Sequence, residues 1–169
     1  MDLRRLTGPA CLLQGRRRRR TVHFGQCRGG RAVIRRIDHV GVVVADLAAA
    51  GVGLRMLTMQ PGGTDVVDTY HVACQFWHCA GDRTAIEVVA PASDGDMVSG
   101  QLARRGPGLH HVAFEVDDIE AELAALENRG AVLVDSAPRP GGQDGLRVAF
   151  AHLGPATGLL VELVEYAKP

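Results

Sequence analysis

The sequence predicts an α+β fold built from two copies of a βαβββ unit. From about residue 34 onward, short β-rich runs alternate with short helical runs, and the second half of this region repeats the pattern of the first half. The chain has 169 residues, of which 46% are hydrophobic. This size and composition suit one compact domain or two small halves that share a sheet.

In the first unit, residues 34–91, Asp46 is the predicted N-cap of an Ala-rich helix that ends near Leu57. Gly81-Asp82 is predicted to form a hairpin turn, and Pro61-Gly62-Gly63 is predicted to break the chain. The strands of this unit are predicted at Ile37–Val44, Val72–Trp77 and Ala85–Val89.

Residues 92–108 are polar and contain glycine, which is typical of a connection between two units. In the second unit, residues 109–169, Asp117 and Glu120 form the D-x-x-E pattern of a capping box, and Gly130 is the predicted helix stop. The apolar residues between them recur at helical spacing, as Ile119, Leu123 and Leu126. The strands of this unit are predicted at His111–Val116, Ala131–Val134, Leu146–His152 and Leu159–Val164.

The first 33 residues differ from the rest in charge. Residues 1–36 contain eleven arginines and one acidic residue, Asp2, whereas the rest of the chain holds eighteen acidic and eight basic residues. Residues 1–33 show no apolar periodicity, so they are predicted to form a disordered basic extension. Three interpretations stay open: an arm that binds nucleic acid or a membrane surface, an organelle-targeting segment, or upstream sequence appended by a misplaced start.

Composition excludes several classes of protein. The four cysteines, Cys11, Cys27, Cys74 and Cys79, form no CxxC pair, which argues against a disulfide scaffold and a structural zinc ribbon and favours a reducing cytoplasm. No run approaches the roughly 20 apolar residues that a membrane span needs. We therefore expect a cytoplasmic protein, with organelle targeting by the extension as the alternative.

The repeat is clearest at the first strand of each unit. The ten residues that begin at Asp38 align without a gap on the ten that begin at His110. This alignment superposes His39 on His111 and matches an Asp helix cap in each copy. A single histidine in a strand is usually an ordinary core or surface residue, so it is the pairing that indicates a shared role.

The same repeat superposes Glu87 on Glu162, each inside an apolar run. The two-residue period of a strand turns these carboxylates to the face opposite their apolar neighbours, and a carboxylate inside a sheet needs a partner. Two imidazoles and two carboxylates related by a duplication could converge on one divalent cation, with positions left open for water or a substrate oxygen. The sequence therefore predicts a metal site formed by His39, Glu87, His111 and Glu162.

Five segments between about residues 34 and 166 carry a resemblance to a known family: Asp38–Gly41, Gly106–Ile119, Pro138–Gly141, Val148–His152 and Thr157–Val164. They are similar to the vicinal oxygen chelate superfamily, which contains glyoxalases, bleomycin resistance proteins and dioxygenases, and within it to methylmalonyl-CoA epimerases. The resemblance implies two βαβββ modules that form a cupped mixed sheet around a metal. Carried over residue by residue, it makes His39, Glu87, His111 and Glu162 the metal ligands.

The resemblance also implies an activity. It points to an isomerase that interconverts (R)- and (S)-methylmalonyl-CoA by α-proton transfer through a metal-stabilised enolate, with Glu162 as a catalytic residue. The implied cofactor is one divalent metal ion, with cobalt, manganese, zinc, nickel and iron all left open. The implied partner is a small-molecule acyl-CoA, the implied assembly is a homodimer, and neither a membrane nor a nucleic acid is expected to bind residues 34–169. Some epimerases carry Gln where this chain has Glu87.

Other functions stay open at this point. They are another metal-dependent member of the superfamily (a glyoxalase-like lyase or isomerase, or a dioxygenase of secondary metabolism), a drug-binding resistance protein, and a nucleic-acid-binding module driven by the basic extension. The segment Gly154–Leu160, which precedes Glu162, lacks the Asp-Pro-Asp-Gly turn common in glyoxalases, and this favours the epimerase.

Several further residues are candidates for the pocket. The loop Pro138–Gly142 is expected to form its rim. One face of the strand near residue 75 is expected to line it, either the face with His71 or the face with His78, and these histidines are candidates for a second acid or base. Two weaker candidates are a zinc site from Cys74, His78 and Cys79, and substrate phosphate binding by Arg104, Arg105, Arg139 and Arg147, which could equally be solvated surface residues.

Overall fold

The computed structural model describes residues 34–167. The predicted basic extension, with Cys11 and Cys27, lies outside the described residues. None of the helices in the described part of the chain is long and apolar enough to cross a membrane.

The described residues form nine strands and three α-helices, with one short 3₁₀ turn. In chain order they are β1 (Ile34–Val43), α1 (Leu47–Arg55), β2 (Gln60–Val67), the 3₁₀ turn (Asp68–Tyr70), β3 (Val72–His78), β4 (Ala85–Pro91), α2 (Ser99–Arg105), β5 (Gly108–Val116), α3 (Ile119–Asn128), β6 (Val132–Leu133), β7 (Arg139–Pro140), β8 (Arg147–His152) and β9 (Leu160–Glu165).

All nine strands belong to one open mixed sheet with the order β2-β3-β4-β1-β5-β9-β8-β6, and β7 pairs with β8. The central pair, β1 and β5, is antiparallel. Outward from it, both sides show a parallel neighbour (β4 or β9) and then an antiparallel one (β3 or β8). This symmetry confirms the α+β fold of two βαβββ units.

The two longer helices begin at the aspartates that the repeat aligns. The side chains of Asp46 and Asp118 each accept a hydrogen bond from the backbone N–H three residues further on, at 2.7 and 3.0 Å. The capping box predicted at Asp117 is therefore wrong by one residue. Glu120, its expected partner, forms an ion pair with Arg147 instead.

The predicted break at Pro61-Gly62-Gly63 is also wrong, because these residues belong to β2. The pairing of β2 with β3 shifts register between Pro61 and Thr64, so the strand is irregular there. β2 lies at one edge of the sheet, where the missing N–H of proline and a bulge are tolerated.

The connection between the units contains a helix, α2, that the sequence pattern does not reveal. Asp96 precedes α2 and accepts hydrogen bonds from the backbone N–H groups of Val98 and Ser99. Val98 is fully buried and packs with Val43 and Val72 in a hydrophobic cluster of the first unit. The connection therefore packs against the core although most of its residues are polar.

Each unit packs its own helix against one face of the sheet. Under α1, Val88 packs with Trp77, and against α3, Leu163 packs with Leu123. Val88 and Leu163 each directly follow one of the two strand glutamates, so the carboxylates point to the opposite face. The sheet thus separates two helix-covered cores from the face that carries the two carboxylates.

Substitution by alanine is expected to change the free energy of unfolding in opposite directions at Gly51 and Gly53, both in α1. A Cβ atom on Gly51 would lie 2.8 Å from Cζ2 of the buried Trp77, whereas a Cβ on Gly53 would meet nothing within 4 Å. We expect Gly51→Ala to lower the free energy of unfolding by about 1–3 kcal/mol through overpacking. Gly53→Ala should raise it by up to about 1 kcal/mol through helix propensity. Urea unfolding followed by the fluorescence of the single tryptophan measures both, and changes of the same sign would contradict the packing argument.

Candidate metal centre

Four titratable side chains converge from the four central strands of the sheet. They are His39 in β1, Glu87 in β4, His111 in β5 and Glu162 in β9, and none is more than 8% exposed. One nitrogen or oxygen atom of each lies within 4.8 Å of the others. The structure therefore brings together all four residues that the sequence predicted.

The register of the sheet accounts for this convergence. Gly41 pairs with Glu87 of β4 on one side and with His111 of β5 on the other. His39 lies two residues before Gly41 and so shares its face of the sheet. β5 and β9 repeat the arrangement, which places Glu162 in the position that corresponds to Glu87.

Gly41 also provides the space that the His111 ring occupies. A Cβ atom on Gly41 would lie 2.1 Å from Cε1 and 2.6 Å from Nε2 of His111. Any side chain at this position would collide with the imidazole, so the ring can lie over β1 only because residue 41 is glycine.

The separations between the ligand atoms fit a bound cation. Nε2 of His39 lies 3.2 Å from Nε2 of His111, and these nitrogens lie 3.0 and 3.1 Å from Oε2 of Glu162 and 3.4 Å from Oε2 of Glu87. Metal–ligand bonds of about 2.1 Å that meet at about 90–109° separate ligand atoms by about 3.0–3.4 Å. Oε2 of Glu162 is buried and has no hydrogen bond of suitable geometry. A buried carboxylate oxygen that faces two imidazole nitrogens without a well-aligned hydrogen bond is consistent with a cation site.

The four groups also stabilise one another's charges. Burial opposes the charged form of His111, but the adjacent carboxylates of Glu162 and Glu87 outweigh it and raise the pKa of His111 to about 9. Burial also lowers the pKa of His39, but the hydrogen bond with Asp38 and the nearby glutamates outweigh this effect. The pKa of His39 therefore lies well above its ordinary value. Burial likewise opposes ionisation of both glutamates, yet the imidazoles hold the pKa of each below its usual range. A cation that binds here must therefore displace protons from the imidazoles.

The metal-free protein is expected to lose stability as the pH rises from about 6.5 to about 9. Because the pKa of His111 is raised from 6.5 to about 9, its contribution to stability is fully present below the unfolded value and is lost as the pH passes the folded value. A bound cation requires neutral imidazoles, so the loaded protein should lose less. Thermal unfolding of EDTA-treated and Co²⁺-loaded protein between pH 6 and 9.5 measures the difference. A double His39→Asn and His111→Asn variant gives the baseline of the remaining groups, and a metal-free Tm no more pH-dependent than that baseline would contradict the prediction.

The four side chains of this cluster line a cavity of about 220 Å³. The face of β3 that lines it carries Cys74, Phe76 and His78, whereas His71, which precedes β3, is not among the lining residues. The predicted rim loop does reach the cavity, through Gly141, Gly142 and the following Gln143.

The four arginines considered for phosphate binding do not line this cavity. Arg139 pairs with Asp135, and Arg147 pairs with Glu120 and Glu165. Arg104 and Arg105 are exposed in the last turn of α2. They are surface residues, and the arginines that do line the cavity are Arg36 and Arg83.

The zinc site considered for Cys74, His78 and Cys79 is not formed. Cys79 is exposed, and these three side chains are not gathered into a group that could hold a metal in the described residues. Sequence reasoning also missed Asp38, which contacts His39, and Tyr166, which contacts Asp38, and both residues line the cavity. The position of Asp38, directly before His39, was the one local signal that could have indicated it.

Comparison with known proteins agrees with this architecture. A family model for the glyoxalase/bleomycin resistance protein/dioxygenase superfamily matches residues 38–150. The ethylmalonyl-CoA/methylmalonyl-CoA epimerase of Cereibacter sphaeroides is 32% identical over 135 residues, which cover 79% of this chain and 99% of that protein.

Two solved structures share the fold. The crystal structure of methylmalonyl-CoA epimerase from Mycobacterium tuberculosis superposes with a TM-score of 0.74 at 30% identity, covering 82% of this chain and 93% of that one. A variant of the Streptomyces coelicolor methylmalonyl-CoA epimerase in complex with 2-nitronate-propionyl-CoA gives a TM-score of 0.71 at 28% identity, covering 80% of this chain and 99% of that one. The chain therefore belongs to the glyoxalase/bleomycin resistance protein/dioxygenase superfamily.

Proposed function

We propose that this chain is a metal-dependent epimerase that interconverts (R)- and (S)-methylmalonyl-CoA. The observation that carries the proposal is the buried cluster of His39, Glu87, His111 and Glu162 on the wall of the cavity. It is supported by relatives at about 30% identity that are methylmalonyl-CoA epimerases.

The reaction removes a proton from the carbon next to a thioester and returns one to the opposite face. His39, Glu87, His111 and Glu162 would hold a divalent cation, which would supply Lewis-acid polarisation of the thioester carbonyl. The nitrogen and oxygen donors of this set suit several first-row divalent metals.

Glu162 is the proposed base on one face of the substrate. Its carboxylate lies on the cavity wall, where it could swing between the cation and the substrate to accept the α-proton. The electrons of the broken C–H bond move towards the thioester oxygen, and the proton is carried on the carboxylate. Inversion then requires a proton from a lining group on the other face. Of the two histidines suggested by the sequence, His78 lines the cavity and His71 does not.

The remaining walls favour this chemistry by limiting water. Phe76 and Phe150 line the cavity, and each packs edge-on against one of the ligand imidazoles. Apolar side chains beside the ligands lower the local polarity and strengthen electrostatic interactions with the reacting groups.

Proton NMR of methylmalonyl-CoA in deuterium oxide tests the proposal. The purified protein should cause loss of the C2 proton signal, the loss should stop on chelation, and it should return on addition of Co²⁺ or another divalent metal. Absence of exchange by a protein that binds one metal ion per chain would overturn the substrate assignment. Exchange that persists after complete removal of metal would overturn the role of the four-residue cluster.

A further inference from the structure

We propose that Asp38 positions His39 and makes the two ligand histidines chemically inequivalent. Asp38, Arg36 and Tyr166, which we call the Asp38 network, would set the ring orientation and tautomer of one imidazole but not of the other. This inference rests on the proposed metal centre.

Asp38 is a buried carboxylate with three partners. It is 5% exposed, its Oδ1 lies 3.0 Å from Nδ1 of His39, and the Tyr166 hydroxyl donates to Oδ1 at 3.1 Å. The guanidinium of Arg36 donates to Oδ2. An ionised carboxylate only accepts hydrogen bonds, so Nδ1 of His39 carries the proton.

This hydrogen bond fixes how His39 faces the metal cluster. With the proton on Nδ1, the lone pair of the neutral imidazole is on Nε2, the atom that lies 3.0 Å from Glu162 and 3.4 Å from Glu87. A carboxylate that holds the far nitrogen of a ligating histidine orients the ring and makes it a stronger electron donor.

Within residues 34–167, the second histidine has no such carboxylate at its Nδ1. The repeat superposes His110 on Asp38, and Nδ1 of His110 lies 2.9 Å from Nδ1 of His111. An imidazole is a weaker hydrogen-bond acceptor than a carboxylate because it carries no negative charge when it accepts. His39 is therefore the stronger donor of two ligands that the fold otherwise relates by symmetry.

The Asp38 network also joins three strands. Tyr166 directly follows β9, the strand that carries Glu162, and it reaches Asp38 on β1 although β5 lies between those strands. Arg36 additionally donates to Glu115 of β5 at 2.6 Å. Through Tyr166, the Asp38 network that contacts His39 is therefore linked to β9, the strand that carries Glu162.

The test compares Asp38→Asn with a matched variant, Asp135→Asn. Asp135 is also a buried carboxylate held by a tyrosine hydroxyl and an arginine, Tyr70 and Arg139, but it contacts no metal-ligand side chain. Competition with a chromophoric chelator measures Co²⁺ affinity. We expect Asp38→Asn to weaken it by about 10- to 100-fold and Asp135→Asn to leave it unchanged. Equal losses in both variants would mean a merely structural effect and would overturn the proposal.

A proton NMR measurement distinguishes a specific effect of Asp38 on His39 from a general loss of structure at the metal centre. In the Co²⁺-loaded protein, the Nδ1–H protons of His39 and His111 should give two exchangeable, hyperfine-shifted proton NMR signals. Asp38→Asn should move or broaden one of them, His110→Ala should affect the other, and Asp38→Glu should restore part of the affinity. An unchanged affinity and spectrum in Asp38→Asn would overturn this inference alone. Failure of the unmodified chain to bind Co²⁺ would overturn the proposed metal centre together with it.

Discussion

Glu162→Gln is expected to lower the rate of metal-dependent α-proton exchange by about a thousandfold and to leave the fold intact. The amide has the size of the carboxylate and keeps an oxygen toward the cluster, but it cannot accept the α-proton. The side chain lies in β9 between Val161 and Leu163, which pack on the other face and are not disturbed.

Glu87→Gln is the matched control. Glu87 occupies the same position in the first unit, is buried to a similar degree and faces the same two imidazoles. Since some epimerases carry Gln at the position of Glu87, this variant should retain most of the exchange. Deuterium exchange measured together with metal content and circular dichroism distinguishes the two. Full exchange in the Glu162 variant, or equal inactivity of both with metal still bound, would contradict the assignment of Glu162 as the base.

Gly41→Ala is expected to weaken metal affinity on the order of 100-fold. The added methyl group would lie 2.1 Å from Cε1 of His111, a distance at which the ring must turn away. The ring has little room to do so, because it is 4% exposed and packs edge-on against Phe150 and His110. Loss of this ligand leaves three side chains, and the geometry of the site is no longer maintained.

Gly53→Ala is the matched control for this prediction, since it makes the same chemical change where nothing lies within 4 Å. Isothermal titration with Co²⁺ compares the two variants with the unmodified chain, and thermal unfolding establishes that each is folded. A folded Gly41→Ala protein that binds Co²⁺ as tightly as the Gly53→Ala protein would contradict the steric argument.

The metal cluster could be predicted from the sequence because the duplication supplies the long-range information. One strand histidine and one strand glutamate carry little meaning alone, but the repeat places His39 with His111 and Glu87 with Glu162. The repeat also predicted the N-cap of α3 better than the local sequence pattern did. The D-x-x-E sequence favoured Asp117 as a helix cap, whereas the alignment with Asp46 pointed to Asp118, the residue that caps α3.

Other features could not be predicted because they depend on the order of the strands. Tyr166 contacts Asp38 across 128 positions of sequence, and no periodicity signals that contact. β2 was missed because Pro61 and the two glycines after it resemble a loop, and only the edge position of the strand makes them acceptable. The ion pairs of Arg147 could not be predicted either, because its acidic partners come from α3 and β9.

The antiparallel pairing of β1 with β5 has a consequence for the way in which the two units depend on each other. Each unit contributes one imidazole and one carboxylate, so each holds only half of the donor set, and the cluster forms where the two units pair. An ion held by this cluster would belong to neither unit alone. Separated units would gain a full donor set only by pairing, so their metal uptake would depend on the square of their concentration, whereas in the covalent chain it depends only on the first power.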